Sequence, residues 1–256
     1  MGMQLPTHDA PPDSPAQRRA DRRRWFRAIN LSLAFVLVLV ATFSAQGSFD
    51  VGAWMVQPWS LAGLKGVLTA PLLHGSLDHL AANAFSMLLL GTLAGGLYPR
   101  ATLRALPLVW LGAGLAAWLL GEPGSRHLGA SGLTHGLMFL VFVLGLLRRD
   151  RPAIAAAMIA FLLYGGMLLT VLPREPGVSW QAHLGGAVAG VVAAFAFRHR
   201  DPALPRKRYS WELDEDAEPA PDDELEPPAP SEVPVLWQRP EPPPRGTVLP
   251  FRARDK

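Results

Sequence analysis

HLGASGLTHG, residues 127–136, opens an apolar run that continues unbroken by charge to Leu147. From Ser131 to Leu147 the run would rise about 25 Å as a helix, against a hydrocarbon core of about 30 Å. A segment of that length and polarity reads as a membrane span, and the rest of the chain must be read around it. It also carries an oddity: Ser131 stands alone among glycines and an alanine at the head of the run, with no ionisable neighbour. Gly and Ser in that pattern can be a face that lets helix backbones approach closely. They can also expose a nucleophile whose partners come from elsewhere in the fold.

Working outward, five further apolar segments bring the total to six, at 28–45, 77–97, 103–121, 131–147, 153–172 and 180–197. The expected fold is an all-α membrane protein, a bundle of six transmembrane helices over residues 25–200. Residues 1–24, with Pro6, Pro11, Pro12, Pro15 and an arginine cluster, read as a disordered basic arm. Residues 201–256 include the acidic, proline-rich WELDEDAEPAPDDELEPPAPSE and lack the apolar content for a core, so a disordered tail is expected. A cytoplasmic partner is one conceivable use of that tail. Between the first two spans lies FDVGAWMVQPWSLAGLKGVLTAPLLHGS, too broken by Pro58, Pro71 and glycines to be a span. It reads as an interfacial loop, with Trp54 and Trp59 suited to the headgroup boundary.

Charge sets the orientation. Arginines of the arm, Arg100, Arg104, Arg148, Arg149, Arg151, Arg198 and Arg200 fall on one side, and only Lys65, Arg126 and Arg174 on the other. Both termini are therefore expected in the cytoplasm, in the plasma membrane of a bacterium. A cleaved signal peptide over 18–45 is the competing reading, but no small-x-small site follows the apolar run. The chain has no cysteine, which removes disulfides, thiolate metal sites and cysteine nucleophiles.

Ionisable and polar groups inside spans are expensive and mark function. Spans two, four and six run in the same direction, and near their outer ends sit His79 and Asn83, Ser131, and His183. His79 and Asn83 are four apart and share a helix face. Each has a structural reading, as an interhelical contact or a hydrogen-bonded interior group. Gly186 and Gly190, at helix-packing spacing, are structural on either reading. Convergence at one depth favours chemistry. A serine hydroxyl needs a base within reach, and His183 is the suitable one. No carboxylate lies at matching depth, so a Ser–His dyad is expected rather than a triad. Asn83, His79 and the Ser131 backbone N–H at a helix N-terminus are candidate oxyanion donors. Glycines beside the serine, Gly129 among them, would admit a substrate backbone. Acyl transfer in a membrane cavity follows, with no metal, cofactor or nucleic acid required. A haem or metal site using His74, His79, His127, His135 and His183 is a weaker alternative, since H-E-x-x-H is absent.

GASG resembles the G-x-S-G signature of the rhomboid intramembrane serine proteases. HGSLDHLAAN, residues 74–83, looks like their second-span H-x(4)-H-L-x-x-N motif, and AHLGGAVAG, residues 182–190, like their sixth-span histidine with its glycines. The resemblance covers about 45–198. It implies Ser131 as nucleophile, His183 as general base and then acid, and an oxyanion hole of His79, Asn83 and the Ser131 amide. His74 would anchor the first outer loop or retain water. Implied substrates are single-span membrane proteins, cut where glycine, proline or small residues let the helix unwind. Two departures stand out. Members often carry a tyrosine four residues after the serine, stacked on the catalytic histidine; here His135 occupies that place, and two stacked imidazoles repel if both protonate. A tryptophan–arginine pair of the first outer loop is also missing, with PWS at 58–60 near its place. A catalytically inactive member that binds membrane-protein clients is the alternative function.

Overall fold

The computed structural model describes residues 15–201, and within them the chain is helical, with one isolated bridge between Val56 and His127. Six principal helices follow one another: α1 (Pro15–Ala45), α2 (Leu77–Leu97), α3 (Pro99–Leu120), α4 (Ser131–Arg148), α5 (Arg151–Tyr164) and α6 (Trp180–Phe197). Five of them, all but α5, are long and apolar enough to cross a bilayer.

Local sequence explains the boundaries. Ser76 caps α2, its hydroxyl accepting from the His79 N–H at 3.1 Å, and Asp78 adds a negative charge to the first turn, where the helix dipole favours it. Pro99 starts α3 at a position where the missing N–H costs nothing. Asp150 caps α5 by accepting from the Ala153 N–H at 2.9 Å.

Three expectations are corrected. Residues 15–24, expected in a disordered arm, belong to α1; their prolines lie at or before its first turn, and the arginines that follow are good helix formers. The third span starts at Pro99 rather than 103. The fifth, expected as one helix over 153–172, is α5 of 14 residues followed by a separate turn, Met167–Thr170. Gly165 and Gly166 part them, and the bonds that start at the pair reach back only three residues, as in Leu168 N–H to Gly165 O at 3.0 Å, before one α-helical turn closes at Thr170. Of the tail expected over 201–256, Asp201 is buried; residues 1–14 and 202–256 lie outside the described residues.

The bundle is organised around α4, where Leu133, Leu137, Met138, Leu140, Val141 and Leu144 are buried almost completely. The most extensive helix interfaces are α6 against α3 and α6 against α4. Around the perimeter, Leu31, Phe85, Leu103, Leu162 and Val192 are exposed. Such an apolar belt is what a bilayer would cover. Trp54 and Trp59, in the 46–76 connection, are also exposed. That connection is built from short helical turns and tied down at its far end by Gln46, whose amide donates to His74 O at 2.8 Å and accepts from His74 N–H at 2.9 Å.

At the end of α4 remote from Ser131, the Asp201 carboxylate accepts from the Arg100 and Ala101 N–H groups at 3.0 and 2.9 Å, capping α3 from a residue a hundred positions away. Two otherwise orphaned helix donors are satisfied by one charge. Asp201→Ala is expected to cost about 1–2 kcal/mol, measured as a lower thermal unfolding midpoint in detergent.

Candidate active site

Ser131 is the first residue of α4, so its own N–H has no acceptor within the helix. The chain reaches it through Gly129, whose φ of +112° is one that a side chain rarely tolerates. A Cβ there would also sit 2.6 Å from His79 Cε1. Gly129 is therefore required twice, by conformation and by space. The same contact places the His79 imidazole against the backbone two residues before Ser131.

Ser131 Oγ and His183 Nε2 are 2.8 Å apart. On the other side of the ring, His183 Nδ1 lies 3.0 Å from the Thr170 carbonyl oxygen. A carbonyl can only accept, so the proton of the neutral ring sits on Nδ1. Nε2 is then the acceptor, and the serine hydroxyl donates to it. That is the tautomer a general base needs.

His135 stacks on His183, with ring centroids 3.9 Å apart and planes within 14°. The His135 ring is itself fixed at both nitrogens: Nδ1–H donates to Ser131 O at 2.7 Å, and Nε2 lies 2.9 Å from the Thr170 hydroxyl oxygen, which in turn donates to Met167 O at 3.0 Å. Ser131 and Thr170 thus bridge the two imidazoles at opposite edges. The four residues form a closed ring of polar contacts. With both nitrogens of His183 committed, that imidazole presents no free lone pair to a metal ion.

The dyad forms because α4 and α6 nearly touch. A Cβ on Gly186 would run into the Gly132 carbonyl oxygen, and one on Gly190 into that of Gly136. Small residues at these four positions bring the backbones together, and Ser131, just before Gly132, and His183, three residues before Gly186, meet as a result.

Asn83 is buried, its amide donating to His79 O at 3.0 Å. One amide proton remains for another acceptor. No hydrogen bond joins His79 or Asn83 to Ser131 among the described residues. His74 is fully buried, its ring edge-on to His79 at 5.1 Å. Burial, and secondly the neighbouring His79, pull the His74 pKa down to about 4. The unfolded chain, near 6.5, therefore binds a proton that the folded protein refuses. The stabilisation is complete above pH 6.5 and is lost as pH falls towards 4, by up to about 3 kcal/mol. Thermal unfolding midpoints should decline over that window more steeply in the wild type than in His74→Phe.

Sequence reasoning missed Thr170, whose carbonyl and hydroxyl each serve one imidazole. A lone polar residue in MLLTVL, at the end of the fifth apolar segment, was the available signal. That reasoning gave His127 a place only in the haem or metal alternative.

Residues 60–200 match the Rhomboid domain. An uncharacterized protein of Mycobacterium tuberculosis is 38% identical over 197 residues, covering 72% of this chain and 81% of the relative. One from Mycobacterium bovis aligns with the same figures. An uncharacterized protein of Mycobacterium leprae is 41% identical over 140 residues, or 52% of this chain and 55% of that protein.

Proposed function

The chain belongs to the rhomboid family and is an integral multi-pass membrane protein, and from that premise we propose that it is an intramembrane serine endopeptidase working through a Ser131–His183 dyad. The carrying observation is the 2.8 Å contact between Ser131 Oγ and His183 Nε2, with Nδ1 held by a carbonyl. Ser131 Oγ attacks the scissile carbonyl carbon while His183 Nε2 takes its proton. The imidazolium that forms keeps its Nδ1–H on Thr170 O, which partly balances the new charge where a carboxylate would do so in a triad. The oxyanion is received by the Ser131 N–H, the free amide proton of Asn83 and the His79 ring. His183 then gives the proton to the leaving amine nitrogen. A water molecule repeats the sequence on the acyl ester, returning its proton through the same nitrogen and freeing Ser131.

Substrates in this reading are single-span membrane proteins, entering where glycine or proline weakens their helices. The chain crosses the plasma membrane of a bacterium six times, with α5 and its following turn forming the fifth crossing and both termini in the cytoplasm. The absence of native cysteine makes single-cysteine accessibility labelling a clean test of that topology.

The functional test is reconstitution in lipid vesicles with single-span reporters carrying Gly, Pro or Ala near the outer face. Cleavage lost in Ser131→Ala supports the endopeptidase. Stable association with intact reporters, without cleavage in lipid or detergent, would favour the client-binding alternative.

A further inference from the structure

A second hydrogen-bonded tie spans the same two segments as the dyad. His127 Nδ1 lies 2.7 Å from Ser179 Oγ. His127 precedes Ser131 by four residues and Ser179 precedes His183 by four, so both ties join positions 52 apart. The kinds of residue are exchanged between them: histidine on the α4 side here, serine on the α6 side. We infer that His127 is a positioning residue which, through Ser179, holds the first turn of α6 and with it His183 over Ser131. This rests on the endopeptidase reading.

Each end of the tie is anchored. His127 exchanges both backbone hydrogen bonds with Val56 at 3.0 Å, which fixes it to the 46–76 connection. Its ring is set by a directed chain. The Ser125 hydroxyl donates to Glu122 O at 2.7 Å, so its oxygen accepts from His127 Nε2–H at 2.9 Å. Nδ1 is left as acceptor, and Ser179 O–H donates to it. Burial lowers the His127 pKa, which favours the neutral ring this chain requires.

Ser179 supplies an independent sign. It holds the N-cap position of α6, yet its side chain makes no capping bond. Serine there ordinarily accepts from the second or third N–H and contributes about 1 kcal/mol. The hydroxyl is turned to His127 instead. Its carbonyl remains in the helix, accepting from the His183 N–H at 3.2 Å. Ser179 is thus in register with the catalytic histidine, one turn outward. Displacing a base by an ångström can lose about a hundredfold in rate, so anchorage at this point reaches the chemistry directly.

The test is the rate of labelling by a fluorescent fluorophosphonate, with kcat and KM on a cleaved single-span reporter. Ser179→Ala and His127→Phe are each expected to slow labelling and lower kcat about tenfold with KM unchanged. The double variant should be no slower than either single one, because both remove one tie. Ser179→Thr, which keeps the hydroxyl, should recover most of the rate. Wild-type rates in both single variants overturn the inference. So does a loss confined to thermal stability, or labelling that survives Ser131→Ala and disappears with Ser179→Ala, which would make Ser179 itself the reactive serine. If the wild type never labels, it is the endopeptidase reading that fails. The tie is then judged by the nitrogen-15 imidazole spectrum of His183: Ser179→Ala must shift its Nε2 resonance, and an unchanged spectrum sinks the inference.

Discussion

Ser131→Ala is expected to abolish covalent labelling by fluorophosphonate and cleavage of any reporter, with the thermal unfolding midpoint close to wild type. His183→Ala should give the same loss of labelling and cleavage. The expected fall in kcat is about 10⁴-fold or more for either change, and the pair together should lose little beyond one alone, since nucleophile and base act as a unit. The reason is visible at 2.8 Å: the hydroxyl has one basic neighbour, His183 Nε2, and that nitrogen is free to accept because Thr170 O holds the proton on the other. An alanine at 131 removes only an oxygen, so the stability check separates lost chemistry from lost structure. A folded wild type that never labels, in detergent or in lipid, would refute the dyad.

Gly186→Ala is expected to be the most damaging single methyl at the contact between α4 and α6. The added Cβ meets the Gly132 carbonyl oxygen, a backbone atom that cannot rotate away, so α4 and α6 must separate. Overpacking of this kind costs about 1–3 kcal/mol. The loss of activity should be larger than the loss of stability suggests, about a hundredfold in kcat, because the helices that part are the two carrying Ser131 and His183. Gly166→Ala is the matched control. Its φ of −58° is ordinary for a helix and nothing lies within 4 Å of a Cβ there. That change should leave activity intact and raise the unfolding midpoint, by up to about 1 kcal/mol. Equal activity in Gly186→Ala and Gly166→Ala would show that close approach of the two helices is not what brings the dyad together.

Much of the site could be read before the fold was known. Ser131 and His183 pair on depth, counted at 1.5 Å per residue from the ends of two parallel spans, and on the serine's need for a base. The two meet in the structure. His135 stands where the family often has a tyrosine stacked on the histidine, and its ring lies face to face with His183. His79 and Asn83 are placed on one face of α2, as their spacing of four requires; their part in stabilising an oxyanion waits on a substrate oxygen to receive. Less legible was the chain before residue 25. Proline and arginine there suggested disorder, whereas α1 runs back to Pro15 and packs Trp25 against Gly96 on α2. Composition alone does not reveal how far a span's helix continues into the arm that flanks it.

Hydropathy, charge asymmetry and depth vary along one dimension, and a helix maps that dimension directly onto distance across a membrane. The sequence by itself therefore determined that the chain is a multi-pass helical membrane protein, which spans share a direction, and which polar groups lie at a common level. Rotation about each helix axis, the approach of one backbone to another, and the state of individual carbonyls do not follow from that mapping. Thr170 O is available to His183 because the fifth segment ends in a short turn at Thr170, leaving its terminal carbonyls without helical donors. The His127–Ser179 tie exists because two connections of unrelated sequence close over the same gap. Those contacts were decided by tertiary structure, since each depends on atoms far apart in the chain meeting at hydrogen-bond distance.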